Sequence, residues 1–235
     1  MTQMMTFSSL AFNEFLPIND PYINNVVSYL PGTGTNGSST FTDYISSTTW
    51  APTGAFARIT TAQQLFGSGS LFVSGTGAIV NNTLGTTLGS SAFTIDCWYY
   101  SGSSGAQSSI YTVSSGPQLG LYMNGTSSGF GTIQLYGGSS LLLTTTEQIA
   151  KNTWNYLLLQ RSGGLLYLYV NGALQYINPV FNVNLSGLQF VLLNQHNLSE
   201  ASLGYMQMFR VTNVVRYSSF PYTIPVPTDP FPIPA

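Results

Sequence analysis

The run Phe93-Thr94-Ile95-Asp96-Cys97-Trp98-Tyr99-Tyr100 decides the fold class. In an extended chain successive side chains point to opposite faces. Phe93, Ile95, Cys97 and Tyr99 then share one wholly apolar face. Thr94, Asp96, Trp98 and Tyr100 share the other. Further along, the stretches 154–161 and 165–170 flank Ser162-Gly163-Gly164, which reads as a hairpin. Asn171-Gly172 supplies the next turn, because both central residues of such a turn need positive φ.

The same grammar extends in both directions. Asn25-Val26-Val27-Ser28-Tyr29-Leu30 is β-branched and aromatic and stops at Pro31-Gly32. Further strands are expected at 56–60, 70–74, 77–81, 92–100, 108–113, 118–123, 130–136, 140–144, 173–177, 188–193 and 203–213. Turn residues such as Gly67-Ser68-Gly69, Asn124-Gly125 and Gly137-Gly138 separate them. Many short strands with Gly-rich turns indicate an all-β sandwich or barrel. No long helix is expected, and 145–150 reads as one short turn.

The two ends differ from this middle. Residues 1–22 read as an N-terminal arm carrying Phe7, Phe12 and Phe15. Residues 23–216 read as the domain. Residues 217–235 hold Pro221, Pro225, Pro227, Pro230, Pro232 and Pro234 and read as an extended tail, since proline donates no backbone hydrogen bond. Tyr222, Ile224 and Phe231 sit between these prolines. The tail has two readings: it lies back on its own sandwich, or it lies on a neighbouring subunit. On the second, Phe7, Phe12, Phe15, Tyr222, Ile224 and Phe231 form the partner interface.

Charged residues make up 5% of the 235, against the usual quarter. Five Lys and Arg residues cannot neutralise a run of phosphates, so nucleic-acid binding is not expected. No stretch of 18 apolar residues predicts a membrane span. Met1-Thr2-Gln3-Met4-Met5-Thr6 lacks the basic start of a signal peptide, and a single cysteine fits synthesis in a reducing cytoplasm. A surface so poor in charge favours association with partners, including copies of itself.

Catalysis is not expected. Glycoside hydrolysis uses two carboxylates across the scissile bond. The seven acids, Glu14, Asp20, Asp43, Asp96, Glu147, Glu200 and Asp229, include no pair at i, i+2 or i, i+4. Cys97 alternates with buried-face residues, which marks an inert small hydrophobe rather than a nucleophile working with His196. One Cys and one His cannot build a zinc site. No cofactor is expected, and the most that Asp43 and Asp96 could assemble with carbonyls is a weak calcium site. Asp96, Trp98 and Arg161 are the candidate ligand-binding residues: an aromatic plate beside a carboxylate can take the apolar face of a sugar and its hydroxyls. Against this stands a structural reading, in which Trp98 packs beneath a loop and Asp96 pairs with an arginine.

Several segments resemble the laminin-G-like jelly-roll domains of the concanavalin A-like lectin/glucanase superfamily. Phe66-Gly67-Ser68-Gly69-Ser70-Leu71-Phe72-Val73-Ser74-Gly75 is similar to the family's FGGSSLYFDG. The run 93–100 is similar to FTIEAWVY. Trp154 through Arg161, with Leu166-Tyr167-Leu168-Tyr169-Val170-Asn171-Gly172, resembles TWHHVALTRSG and LYVNG. Phe209-Arg210-Val211-Thr212-Asn213-Val214-Val215-Arg216-Tyr217 resembles LRITKGVARYT. The chain departs from the pattern at Gln207-Met208-Phe209, where the family carries an acid, and at Asn155-Tyr156. The glucanases' Glu-x-Asp-x-x-Glu is reduced to Asp96 alone. The resemblance implies a two-sheet antiparallel β-sandwich of the jelly-roll, concanavalin A-like type. Its flavour is that of phage and other viral structural proteins. The first expectation is therefore a non-enzymatic virion protein, a capsid decoration or cement protein made in the host cytoplasm and bound to major capsid or tail proteins. The second is a glycan-binding tail-fibre or receptor-binding module. The third and weakest is a glycoside hydrolase.

Overall fold

The computed structural model describes residues 20–46, 49–54, 56–102, 107–114, 117–125, 129–178, 181–195, 197–199 and 204–232. A single 3-10 turn at Ile23–Asn25 leads into β1 (Val26–Leu30), β2 (Ala51–Thr53), β3 (Ala57–Thr60), β4 (Ser70–Val73) and β5 (Ala78–Asn81). A short helix, α1 (Leu84–Leu88), precedes β6 (Phe93–Tyr100), β7 (Gln107–Ser114), β8 (Pro117–Gly125) and β9 (Phe130–Gly137). Then come β10 (Ser140–Thr144), β11 (Ile149–Ala150), β12 (Trp154–Ser162), β13 (Leu165–Val170), β14 (Ala173–Asn178), β15 (Phe190–Leu192) and β16 (Tyr205–Thr212).

These strands form two antiparallel eight-stranded sheets. The first runs β14-β13-β12-β6-β16-β4-β3, with β1 also paired to β16. The second runs β10-β9-β8-β7-β15-β5-β2, with β11 beside β9. The expected sandwich is therefore the fold. The face of β6 read as apolar is buried: Phe93, Ile95, Cys97 and Tyr99 meet Tyr111, Val113, Leu121 and Leu135 of the second sheet in one core. Asn171 and Gly172 take φ of 48° and 84°, as their turn requires.

Three local features differ from the expectation. The stretch 145–150 ends in β11 rather than in a helical turn, because Ile149 and Ala150 pair with Gly131 and Phe130. Strand β2 is added, paired to β5. Helix α1 is the third. The Asn81 carboxamide oxygen accepts the backbone N–H groups of Thr83 and Leu84, both at 2.9 Å, and so starts the turn. Gly85 faces the 185–188 backbone so closely that a Cβ there would lie 2.4 Å from the Leu188 carbonyl oxygen. This helix exists because of a tertiary contact, and five residues carry too little periodicity to announce it.

Strand β16 turns on a bulge. Gln207 pairs with Trp98, but Arg210 pairs with Asp96, so β16 spends one residue more than β6. Met208 absorbs the extra residue at φ 53°. In consequence Met206, Phe209 and Val211 enter the core between the sheets, while Met208 joins a second apolar cluster outside.

That second cluster is the outer face of the first sheet. Tyr29, Trp98, Tyr156, Leu158, Tyr167 and Tyr169 form one apolar cluster there with Ile224 and Phe231 of the proline-rich tail. The tail attaches by backbone bonds to the Asn171–Gly172 hairpin: Ile224 donates to the Gly172 carbonyl at 2.8 Å, and Leu174 donates to that of Tyr222 at 2.9 Å. It thus lies on its own sandwich through residue 232. Ile224 and Phe231, which the second reading of the tail put on a partner, are each only 6% exposed within their own chain, as the first reading requires.

Candidate functional site

The outer face of the first sheet is ordered in rows that cross the strands. One row brings together Tyr29, Arg210, Asp96, Leu158 and Tyr169 through consecutive register pairs. Here Asp96 is fully buried. Arg210 grips it with two bonds, Nε to Oδ1 at 3.0 Å and NH2 to Oδ2 at 2.6 Å. The Tyr156 hydroxyl donates to the same Oδ2 at 2.8 Å. Arg210 also reaches Asp20 at 3.1 Å, and Arg216 reaches Asp20 at 2.6 Å. Two acids and two arginines thus form a neutral, buried chain. Burial opposes the Arg210 charge, but the Asp96 carboxylate beside it more than restores it and raises the pKa. Burial likewise opposes the Asp20 charge. The Arg216 hydrogen bond, the Tyr22 amide and the two arginine charges overcome this and hold the carboxyl below its ordinary value of 3.8.

A cavity of about 350 Å³ lies between this network and the tail, lined by Asp20, Tyr156, Arg210, Arg216, Tyr217 and the prolines of 225–232. Asp20, Arg210 and Arg216 are paired within the network, while Asp229 of the tail also lines the cavity and accepts from the Thr228 hydroxyl at 3.0 Å.

The next row holds Trp98. Gln207 stands beside it and pins the loop above: its amide oxygen accepts the N–H groups of Leu65 and Phe66 at 2.7 and 3.1 Å, and its amide nitrogen donates to the carbonyls of Phe66 and Gly69. The loop lays Phe66 edge-on over Trp98 at 6.0 Å. Trp98 is left 9% exposed. Asp96 and Trp98 therefore share a face, as the alternation required, but the chain's own groups occupy both. Arg161 is not with them. It pairs with Phe93 on the core side, where its guanidinium lies over the Phe93 ring and donates to the carbonyls of Gly89, Ser91 and Val183. Burial lowers its pKa to about 10. The three candidate ligand residues do not converge: Asp96 and Trp98 serve packing on the outer face, and Arg161 locks the end of α1 on the inner one.

The calcium expectation paired Asp43 with Asp96, and the structure gives the two carboxylates different partners. Asp43 receives six donors: the Ser28 hydroxyl, the Tyr29, Ile45 and Ser46 amides, the Ser46 hydroxyl and the Trp50 indole. None of these serves Asp96. The two carboxylates build separate hydrogen-bond sets, and no cluster of three or more His, Cys, Asp or Glu occurs among the described residues. Of the interface candidates, Tyr222 is 87% exposed. Phe7, Phe12 and Phe15 lie outside the described residues, as does His196.

A further row of this face is only partly covered, and it was not anticipated. Trp154 pairs with Tyr100, Tyr100 with Tyr205, Tyr205 with Phe72 and Phe72 with Arg58. Directly opposed residues point to the same side of a sheet. The four rings consequently stand side by side across β12, β6, β16 and β4, with centroids 5.6, 5.6 and 5.0 Å apart. The Arg58 guanidinium carbon ends the row on β3, 5.0 Å from the Phe72 centroid. All four rings are partly exposed and Arg58 is exposed. Five strands at about 4.8 Å spacing make the row roughly 19 Å long. Tyr100 was visible in the sequence on the Asp96 face. The row joins residues as far apart in the chain as Phe72 and Tyr205, 133 positions, so only the register could assemble it.

A family model described as the concanavalin A-like lectin/glucanases superfamily matches residues 73–219. No curated protein sequence matches the chain. Among solved structures, domain 4 of a GH43 extracellular arabinanase from Geobacillus stearothermophilus, in complex with arabinotriose, aligns with TM-score 0.61 at 11% identity, over 83% of this chain and 97% of that one. A Trypanosoma rangeli sialidase aligns with TM-score 0.57 at 15% identity, over 81% of this chain. The type C botulinum neurotoxin, whose cell entry depends on two ganglioside molecules, aligns with TM-score 0.55 at 14% identity, over 84%. This chain spans 31% of the sialidase chain and 50% of the toxin chain.

Proposed function

The chain belongs to the concanavalin A-like lectin/glucanase superfamily, and on that footing we propose that it is a non-catalytic glycan-binding module whose ligand lies along the row Trp154-Tyr100-Tyr205-Phe72. The observation that carries this reading is the row itself. Four partly exposed rings in line offer a flat apolar strip to the C–H faces of successive sugars. The phenols of Tyr100 and Tyr205 and the indole of Trp154 offer polar edges for hydroxyls. A partly exposed aromatic strip beside rows that the 61–69 loop and the tail cover is the kind of apolar patch that marks a binding surface. The arabinotriose complex of one structural neighbour and the ganglioside dependence of another support the choice of ligand class.

A binding role is favoured over hydrolysis by what the acids do. Asp20 and Asp96 are held by arginines and Asp43 by six donors. None of the three stands ready to protonate a leaving group or to activate water. The decoration-protein reading required the chain ends to reach neighbours. The described part of the C-terminal end covers its own sandwich instead, which moves glycan binding ahead of cementing. A place for this module on a viral particle, as part of a fibre that meets host glycans, remains compatible with that reading.

The test is a glycan array probed with the native chain and with a Tyr205→Ala, Trp154→Ala double variant. Binding to a defined set of glycans, lost in the variant while the thermal transition is kept, is the expected result. Binding that survives the double substitution, or an array with no hits, overturns the assignment.

A further inference from the structure

Arg58 differs from the other cations in what surrounds it. Arg210 and Arg216 hold carboxylates at 2.6 to 3.1 Å. Arg161 spends its donors on three backbone carbonyls. Lys151 is 8% exposed. Arg58 is exposed, and among the described residues it has no carboxylate and no hydrogen-bond acceptor; its one contact is the Phe72 ring. That contact holds the guanidinium at the end of the aromatic row, with no acceptor on its N–H edges among the described residues.

We infer that the glycan bound along the row carries a carboxylate, seated against Arg58. This rests on the row being the sugar-binding strip and adds the ligand's polarity to it. A planar guanidinium matches a carboxylate with two parallel hydrogen bonds, which is the geometry that arginine supplies and lysine does not. Seated on an aromatic ring, the fork loses less freedom when it binds. The number of charges narrows the class further. A polysulfated chain or a nucleic acid draws its affinity from many cations acting together. Here one cation ends a row of four uncharged rings, which suits one acidic sugar, of the uronate or sialate kind, in an otherwise neutral sequence. The rings set where the chain lies, and Arg58 sets which end is which.

Calorimetry with two matched pairs tests this: 3′-sialyllactose against lactose, and trigalacturonate against its methyl ester. The expected result is that at least one acid binds about tenfold or more tighter than its neutral counterpart, as a charged hydrogen-bonded pair supports. Arg58→Ala should abolish that preference, so that acid and neutral counterpart bind alike. Arg58→Lys should recover only part of it, because the charge returns without the fork. Arg58 lies on the exposed side of an edge strand, so both variants are expected to fold, and their thermal transitions check this. If neither acid is preferred, or if Arg58→Ala keeps the preference, the inference is overturned. Neutral sugars that still bind, and are lost in Tyr205→Ala, would show that the strip itself stands while its polarity does not.

Discussion

The ring of Phe231 lies over the guanidinium of Arg210, with the guanidinium carbon 3.5 Å from the ring centroid. One residue comes from the proline-rich tail and the other from the strand that carries the bulge. Their contact covers one face of the Arg210 guanidinium. Phe231→Ala is expected to cost about 3 kcal/mol, the low end of the range for a buried phenylalanine, because Phe231 keeps 6% exposure. Urea unfolding followed by fluorescence measures it, and a loss below about 1 kcal/mol would mean that the tail is only loosely seated.

Asp96→Ala removes the first partner of Arg210 and leaves a buried cation with only Asp20, which Arg216 already shares. A loss of about 3–5 kcal/mol follows from breaking a buried pair on one side. The double variant Asp96→Leu, Arg210→Met should be milder than Asp96→Ala alone, since no charge is stranded. Equal losses in the two would contradict the ion-pair account.

Acid should weaken the same network. The Asp20 carboxyl is held below its ordinary value of 3.8, so the unfolded chain binds its proton first as pH falls. The stabilisation from this group is complete above 3.8 and is lost as pH drops through the lower folded value. Unfolding midpoints measured from pH 5 to pH 2 should fall more steeply in the native chain than in Asp20→Asn. Parallel curves would remove Asp20 from the acid response.

Gln207→Glu restores the charge type that the family carries near this position. Gln207 both accepts from two amides and donates to two carbonyls, and a carboxylate can only accept. The variant should lose about 2–3 kcal/mol and free the 61–69 loop, seen as faster hydrogen exchange at Leu65 and Phe66. Unchanged exchange there would show that the loop holds without the amide.

Gly172→Ala tests how the tail is attached. Gly172 has φ 84°, and a Cβ would lie 2.6 Å from the Ile224 carbonyl oxygen. The substitution should lift the tail and make 217–232 sensitive to limited proteolysis while the sandwich stays folded. A tail as resistant as that of the native chain would place its anchor elsewhere.

Much of this architecture was legible in the chain because it is written in period two. Alternation along 93–100 assigned Phe93, Ile95, Cys97 and Tyr99 to the core and Asp96, Trp98 and Tyr100 to the opposite face, and the side chains lie so. Glycine and asparagine marked the turns, since few other residues tolerate positive φ, and the prolines marked a tail that could not enter a sheet. These are local constraints, set by one residue and its immediate neighbours. Register, covering and convergence are not local. Helix α1 depends on the 185–188 backbone, and Arg161 was separated from Asp96 and Trp98 by its place one residue out of phase with the outer face of β12. The partly covered row from Arg58 to Trp154 draws one residue from each of five strands. The sequence by itself determined the sandwich and the face of each strand residue, because strand geometry alternates whatever the partner. Only the tertiary structure decided which outward side chains became covered core, under the tail and the 61–69 loop, and which remained exposed as a candidate binding strip, because that depends on pairing between segments far apart in the chain.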